Sequence, residues 1–308
     1  MLKFLLSPLF AGFSYALFKL RSAKLRGYLF AFIRKHYPGR YLSVDVFEHP
    51  YVVHTSDNGT SRELFRSGQL DLKKFNRVIE LLPPQTSKYR VLLDIGANLG
   101  TICIPLVASG HFERAIAVEP DPENLRLLRT NIALNELHDR IEVLDRAAAD
   151  KDDDTLSLER SPINTGDHRI AVSNVPGQLH EEDRSQIDVQ SITIDTIIKA
   201  DTANADEIFI WMDVQGYEGW ALAGAAQTLA HTPPLVIEFW PYGMQRAESF
   251  NLLQQALAPY ACFIDLADQR AVRRPTDDLP AIYSEIGEDG AYTDLLLLPS
   301  ADPVISST

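Results

Sequence analysis

The chain has 308 residues, 45% of them hydrophobic, a formal net charge of −13 and two cysteines. That is enough apolar material for one α/β domain with an N-terminal appendage, while a net acidic body argues against a nucleic-acid substrate, whose phosphates it would repel. Cys103 and Cys262 lie alone in apolar patterns and make neither a disulfide framework nor a zinc site.

Reduced, buried thiols fit a reducing compartment, so the chain is expected in the cytoplasm. Its first 44 residues stand apart: they hold eight Lys or Arg and no acid, which leaves the remainder at −21. Met1 to Phe18 is apolar except for Lys3 and is interrupted by Pro8. A spanning helix needs about twenty apolar residues, and no small-x-small cleavage site follows. These rules disfavour a true span or a cleaved signal peptide without closing that reading, and two further readings of residues 1–44 stand ahead of it. One is a basic amphipathic segment in peripheral contact with an anionic membrane. The other is a helical arm packed on the domain or on a partner subunit.

Leu42 to Val53 alternates like a strand, and Asp57-Asn58-Gly59-Thr60 reads as a turn. Ser61 to Leu82 has a helical pattern that stops at Pro83-Pro84. Residues 45–90 are therefore expected to form a cap region, either over a binding pocket or purely structural. The main domain is expected over 91–300. Val91 to Leu93 is a strand, followed by Asp94, a turn Gly96-x-Asn98-x-Gly100, and a helical pattern from Leu99 to Val107. Such a turn offers free backbone N–H groups and close approach to a ligand. It lacks the Gly-x-Gly-x-x-Gly spacing of dinucleotide binders, which disfavours a nicotinamide dehydrogenase. The next strand, Ala115 to Val118, ends in Glu119; an acid at that place suits a ribose diol.

Pro122 to Leu134 reads as a helix with proline at its start, and Ile141 to Leu144 as a third strand. Residues 150–190 are polar and read as a hairpin-like insertion carrying Asn164, His168 and Asn174. Its Lys151-Asp152-Asp153-Asp154 run is read as a solvated turn. Ile208 to Met212, Leu235 to Ile237, Ala261 to Ile264 and Thr293 to Leu298 supply four more strands. Helices are expected over Tyr217 to Leu229 and Phe250 to Leu257, and the tail from Pro299 is expected to be loose. Asp94, Glu119, Asp213 and Glu238 each close an apolar strand, at the sheet edge where ligands bind in open α/β folds. Four carboxylates gathered there repel one another unless each has its own cationic or hydroxyl partner.

Three stretches, Asp94-Ile-Gly-Ala-Asn-Leu-Gly100, Val118-Glu119-Pro120-Asp121-Pro122-Glu123-Asn124 and Met212-Asp213-Val214-Gln215-Gly216-Tyr217-Glu218, resemble the FkbM family of S-adenosylmethionine-dependent methyltransferases. The resemblance implies a Rossmann-like, seven-stranded class I methyltransferase sheet with helices on both faces, plus the N-terminal helical arm. It implies S-adenosylmethionine as cofactor, with Asp94, Gly96, Asn98, Gly100, Thr101, Glu119, Asn124 and Ala147 on its side. Ala147 would leave room beside the adenine. Asp213, Glu238 and Glu218 would face the acceptor. The activity implied is O-methylation of a sugar hydroxyl in a glycan or glycolipid. Another small hydroxyl metabolite is an alternative. So is a non-catalytic nucleoside-binding module, because Gln215 stands where the family usually carries glutamate. Methyl transfer is an in-line displacement that needs alignment and, for a hydroxyl, removal of its proton; Asp213 is the first choice of base and Glu238 the second. Oxygen ligands at Asp213 and Glu238 suit magnesium, but no third acid has an obvious spacing and no metal site is assigned.

Overall fold

The computed structural model describes residues 22–46, 49–68, 72–82, 89–172, 177, 179, 181–201 and 205–299. The first part holds α1 (Ala23–His36), β1 (Tyr41–Val46), β2 (His49–His54), α2 (Thr60–Ser67) and α3 (Leu72–Leu81). Next come β3 (Val91–Ile95), α4 (Cys103–Ala108), β4 (Arg114–Val118), α5 (Pro122–Leu134), β5 (Ile141–Leu144) and β6 (Ala147–Ala148). An inserted region holds β7 (Thr155–Arg160), β8 (Arg169–Ile170) and β9 (Ser185–Ile192), and α6 (Ile194–Asp201) leads back to β10 (Ile208–Met212). The last part runs α7 (Glu218–Ala223), α8 (Ala226–Leu229), β11 (Leu235–Phe239), α9 (Pro241–Arg246) and α10 (Phe250–Leu257). It ends with β12 (Cys262–Asp265), β13 (Arg273–Pro275), α11 (Leu279–Ile286) and β14 (Thr293–Leu298).

The main sheet has the order β13-β12-β14-β11-β10-β3-β4-β5. Strands β3, β4, β5, β10 and β11 pair in parallel, and β14 runs against both β11 and β12. All seven predicted strands are present. The sheet has eight strands, however, because the short β13 pairs antiparallel to β12. Arg273-Arg274-Pro275 carries no apolar signal that a pattern search would find. The central strands are apolar on both sides and alternate between two cores. Leu92, Phe209, Trp211 and Val236 face one core; Leu93, Ile95, Ile210, Met212 and Ile237 face the other. The order grows in one direction from β3 and in the other from β10, so the crevice lies at their carboxyl ends.

The helix expected over Ser61 to Leu82 is two helices. Gly68, at φ +67, ends α2 with its N–H on the Leu64 carbonyl, which is the left-handed stop that glycine favours. The helix expected from Leu99 starts at Cys103, and the one expected over Tyr217 to Leu229 is broken into α7 and α8. In the insertion, β7 pairs antiparallel with both β8 and β9, and β9 runs parallel to β6. Of the N-terminal arm, α1 is described and residues 1–21 lie outside the described residues, as do Asn174 and the tail from 300. Helix α1 packs on α2, with the Phe30 and Phe65 rings 5.4 Å apart. Among the described residues no helix is long and apolar enough to cross a membrane.

Asn131 of α5 locks the β1–β2 hairpin to the rest. It is fully buried; its Oδ1 accepts from the Val52 N–H at 2.7 Å, and its Nδ2 donates to the Leu99 carbonyl at 3.1 Å. Hairpin, helix and Gly-rich turn thus meet on one side chain. Asn131→Ala leaves those backbone groups buried without partners, at about 1–3 kcal/mol for each such group. We expect urea unfolding to show a loss of that size with an unchanged slope. A change below about 0.5 kcal/mol, the level of an ordinary surface substitution, would remove Asn131 from this role.

Candidate functional site

The loops that follow β3 and β10 touch. Gly96 has φ +82, and a Cβ there would lie 1.9 Å from the Asp213 carbonyl oxygen. The Asp213 N–H donates to the Ile95 carbonyl at 3.0 Å. Both the dihedral and the neighbouring backbone bar a side chain at 96. Two cavities open at this contact. The larger, about 520 Å³, has Asp94, Thr101, Asp213 and Glu238 in its walls with Trp240 and Tyr292. The smaller, about 60 Å³, is lined by Glu119, Asn124, Ala147, His168 and Tyr217 among others. Gly96, Asn98, Asp213 and Gln215 line both, so the two spaces join at the turn.

Glu119 anchors the small cavity. Its Oε2 accepts from the Asn98 N–H at 2.9 Å and its Oε1 from the Asp121 N–H at 2.8 Å. Burial nevertheless pushes its carboxyl up to about 8. The Asn124 amide also reaches Oε1, at 3.5 Å, because Asp121 caps α5 and turns Asn124 inward. The Oδ1 atoms of Asn98 and Asn124 are buried without a hydrogen-bond partner. Asp94, at the end of β3, accepts the Cys103 N–H on Oδ2 at 3.1 Å and so orients the start of α4.

Two of the predicted site residues reach neither cavity. Gly100 has φ +85, and a Cβ there would meet Ile104 at 2.6 Å and Leu128 at 2.9 Å. Its lack of a side chain lets α4 and α5 close on the turn, so a packing role replaces the expected cofactor contact. Glu218 is fully buried; its Oε1 accepts the Val214 and Gly216 N–H groups at 3.1 and 3.2 Å. It holds the turn after β10 in place of the expected acceptor contact, and burial pushes its carboxyl up to about 8.

The turn held by Glu218 puts Gln215 at φ +56. Its Nε2 donates to Asp213 Oδ1 and to Glu238 Oε2, both at 2.7 Å. One amide therefore spends both its hydrogens on joining the two acids. Burial, then the charges of Asp213, Glu218 and Asp294, push the Glu238 carboxyl well up, with Lys74 working against them. Both effects favour the protonated form of Glu238, the form that relieves the crowding two adjacent carboxylates would suffer. Among the described residues no three His, Cys, Asp or Glu side chains are grouped as a cation would need. An amide donor occupies the space between the two acids.

A second set of contacts covers the turn, and sequence reasoning missed it. The Thr165 carbonyl accepts from Asn98 Nδ2 at 3.2 Å and Asn124 Nδ2 at 3.1 Å. Thr165 Oγ1 donates to Asp57 Oδ2 at 2.9 Å, and the Asn58 N–H to the Ile163 carbonyl at 2.8 Å. The Asp57 turn was legible, but nothing in the sequence pairs it with Thr165, 108 residues away. His168 is engaged in the same layer: its Nδ1 accepts from the Ser161 N–H at 3.1 Å, and burial lowers its pKa. Arg169 was likewise unmarked. It lies 4.6 Å over the Trp240 ring, held by Asp167 at 2.7 Å and Glu181 at 2.8 Å. Burial alone would raise Glu181, but hydrogen bonds from Tyr242, the Leu179 N–H and Arg169 hold it at about 2.

The model of the methyltransferase FkbM domain matches residues 94–258. A 2-O-methyltransferase, NoeI of Sinorhizobium fredii, is 25% identical over 187 residues, covering 58% of this chain and 73% of that protein. A ribosomal protein L11 methyltransferase of Carboxydothermus hydrogenoformans is 34% identical over 68 residues, 22% of each chain. Among solved structures, a methyltransferase FkbM from Methylobacillus flagellatus is 22% identical with a TM-score of 0.40. That match covers 68% of this chain but 44% of the other, so the chain spans less than half the length of that solved relative.

The buried acids give stability a pH dependence of known sign. Folded Glu218 keeps its proton up to about 8, whereas a free glutamate loses it at 4.5. Its contribution is full below the lower value and is lost as pH rises toward the upper one, at about 1.4 kcal/mol per pH unit. We expect wild type to lose stability relative to Glu218→Gln at about that rate across this window. Parallel stability profiles for the two proteins, measured by denaturant unfolding, would contradict it.

Proposed function

The chain belongs to the FkbM methyltransferase family, and from that premise we propose that it is an S-adenosylmethionine-dependent O-methyltransferase whose acceptor is a sugar hydroxyl of a glycan or glycolipid. The observation that carries the reading is the bridged pair Asp213–Gln215–Glu238 in the wall shared with the Gly96 turn. Gln215 keeps the two acids joined, so the loss of charge at this position does not dismantle the site.

The residues present fit the cofactor. Glu119 offers a carboxylate to two vicinal hydroxyls, and the unpartnered Oδ1 atoms of Asn98 and Asn124 offer acceptors beside it. Asp94 and Thr101, in the wall of the larger cavity, are placed to hold a charged amino-acid end. When bound, S-adenosylmethionine supplies an activated methyl group on a sulfonium. The rest falls to the chain. Asp213 takes the acceptor's hydroxyl proton, and Glu238, pushed toward its protonated form, donates a hydrogen bond to a neighbouring oxygen. The exposed Tyr292 ring supplies a flat apolar wall of the kind sugars stack on. The name of the Sinorhizobium relative supports transfer to oxygen. The basic, acid-free stretch up to residue 44 is the part suited to meet an anionic membrane.

Two outcomes are expected. Glu119 is protonated in the free protein below about 8, and hydroxyls donating to it favour the ionised form. Binding of S-adenosylhomocysteine at about pH 7 should then release a proton. Calorimetric heats should differ between phosphate and Tris, and Glu119→Gln should lose both that difference and most of the affinity. Equal heats in the two buffers would take Glu119 out of the ribose site.

For the acceptor, Asp213→Asn should lower turnover by about 10²–10⁴ and leave S-adenosylhomocysteine affinity within a few-fold. Glu238→Gln resembles the protonated acid and should cost about tenfold or less. Screening with labelled cofactor against glycan and lipid extracts finds the substrate for these assays. If Asp213→Asn turned over as fast as wild type, the base would lie elsewhere.

A further inference from the structure

Helix α1 is anchored along one side. Gly27 and Phe30 are buried, a Cβ at Gly27 would sit 3.5 Å from Arg66 of α2, and Leu29 and Ile33 pack on the same core. The opposite side presents Leu25, Tyr28 and Phe32, exposed at 49%, 65% and 53% and spaced i, i+3, i+7. Lys24 and Lys35 are exposed on that side by the same spacing, and exposed Arg34 and His36 complete the basic last turn. No acid occurs in this helix or anywhere before Asp45.

Large side chains in one exposed row call for a cover, since removing their apolar surface from water is favourable. Charge decides between the covers. A row of one aliphatic and two aromatic residues, flanked by Lys24 and Lys35 on an acid-free helix and attached to a body of −21, matches the boundary of an anionic bilayer. There aromatic rings sit at headgroup depth and lysines reach the lipid charges. We propose that this face of α1 lies on an anionic phospholipid surface. Leu25, Tyr28 and Phe32 enter the headgroup boundary, and Lys24 and Lys35 pair with the lipid's negative groups.

The inference deepens the glycolipid reading of the acceptor and rests on it for its purpose, though not for its test. Helix α2, on which α1 packs, gives Thr60 and Glu63 to the wall of the larger cavity. Docking would therefore hold that wall one packed helix, about 10 Å, from the lipid.

The test is sedimentation of the full chain with phosphatidylcholine vesicles, with and without about 30% phosphatidylserine. We expect binding to the anionic vesicles at least tenfold tighter than to neutral ones, weakened by about 0.5 M salt. Leu25→Ser/Tyr28→Ser/Phe32→Ser should abolish it, with an unchanged unfolding midpoint, since these side chains are exposed. Lys24→Glu/Lys35→Glu should abolish only the preference for anionic lipid. Three results overturn the proposal: no binding by wild type, full binding by the triple variant, or a solution dimer that the triple variant dissolves. None of these readouts uses methyl transfer. A protein that docks without transferring methyl groups would fail the functional reading alone, and one that transfers without docking would fail this inference alone.

Discussion

The contact on which the rest depends is between two pieces of backbone. The Gly96 turn after β3 rests against the Asp213 carbonyl after β10, and the Asp213 N–H closes back onto Ile95. Neither loop has freedom to move without the other. The Asn98 N–H can then reach Glu119, and Gln215 can reach Glu238, because each starts from a position set by that contact. A sheet with the same strands and a side chain at 96 would have to part these loops, and the two cavities would no longer share a wall.

Gathering acids at one sheet edge is expensive, and the structure meets the cost differently at each one. Asp94 and Glu119 accept backbone N–H groups from the turns and helices that begin beside them. Glu218 is turned away into its own loop, where its burial fixes the backbone. Asp213 and Glu238 share one neutral amide, and burial pushes Glu238 toward the form that carries no charge. A glutamate in place of Gln215 would bring a third acid and no hydrogen to donate. This is a physical reason why an amide is compatible with a working site.

Much of this was legible in the sequence, for reasons that can be named. Strands buried on both sides, the five parallel ones and β12 and β14 beside them, read as unbroken apolar runs, so the seven strands stood out, as did α5, with Pro122 at its start, and α10. What failed was of three kinds. Turn-driven breaks such as Gly68 interrupt a helical pattern without disturbing its periodicity. The edge strand β13 has no apolar residue beyond its proline. Pairings across long sequence distance, Asp57 with Thr165 or Arg169 with Trp240, leave no local trace because neither partner's neighbours in sequence name the other. The acids were found correctly as a group at the strand ends. Which of them face open space and which face their own backbone depended on loop conformation, and so Glu218 and Gly100, expected at the ligand, line neither cavity.

The small strand β13 has a consequence for how copies of this chain meet one another. Without it the sheet would end at β12, whose Cys262, Phe263 and Ile264 are buried and apolar, with a free row of backbone donors and acceptors. Such an edge is a template for strand addition and aggregation. Instead the sheet ends in Arg273-Arg274-Pro275. Proline has no N–H to offer, and the Arg274 guanidinium lies 5.5 Å over the Phe263 ring, held by Glu285 at 2.9 Å. Three residues outside both cavities thus close this end of the sheet to its neighbours, which matters most for a protein that would be concentrated on a surface.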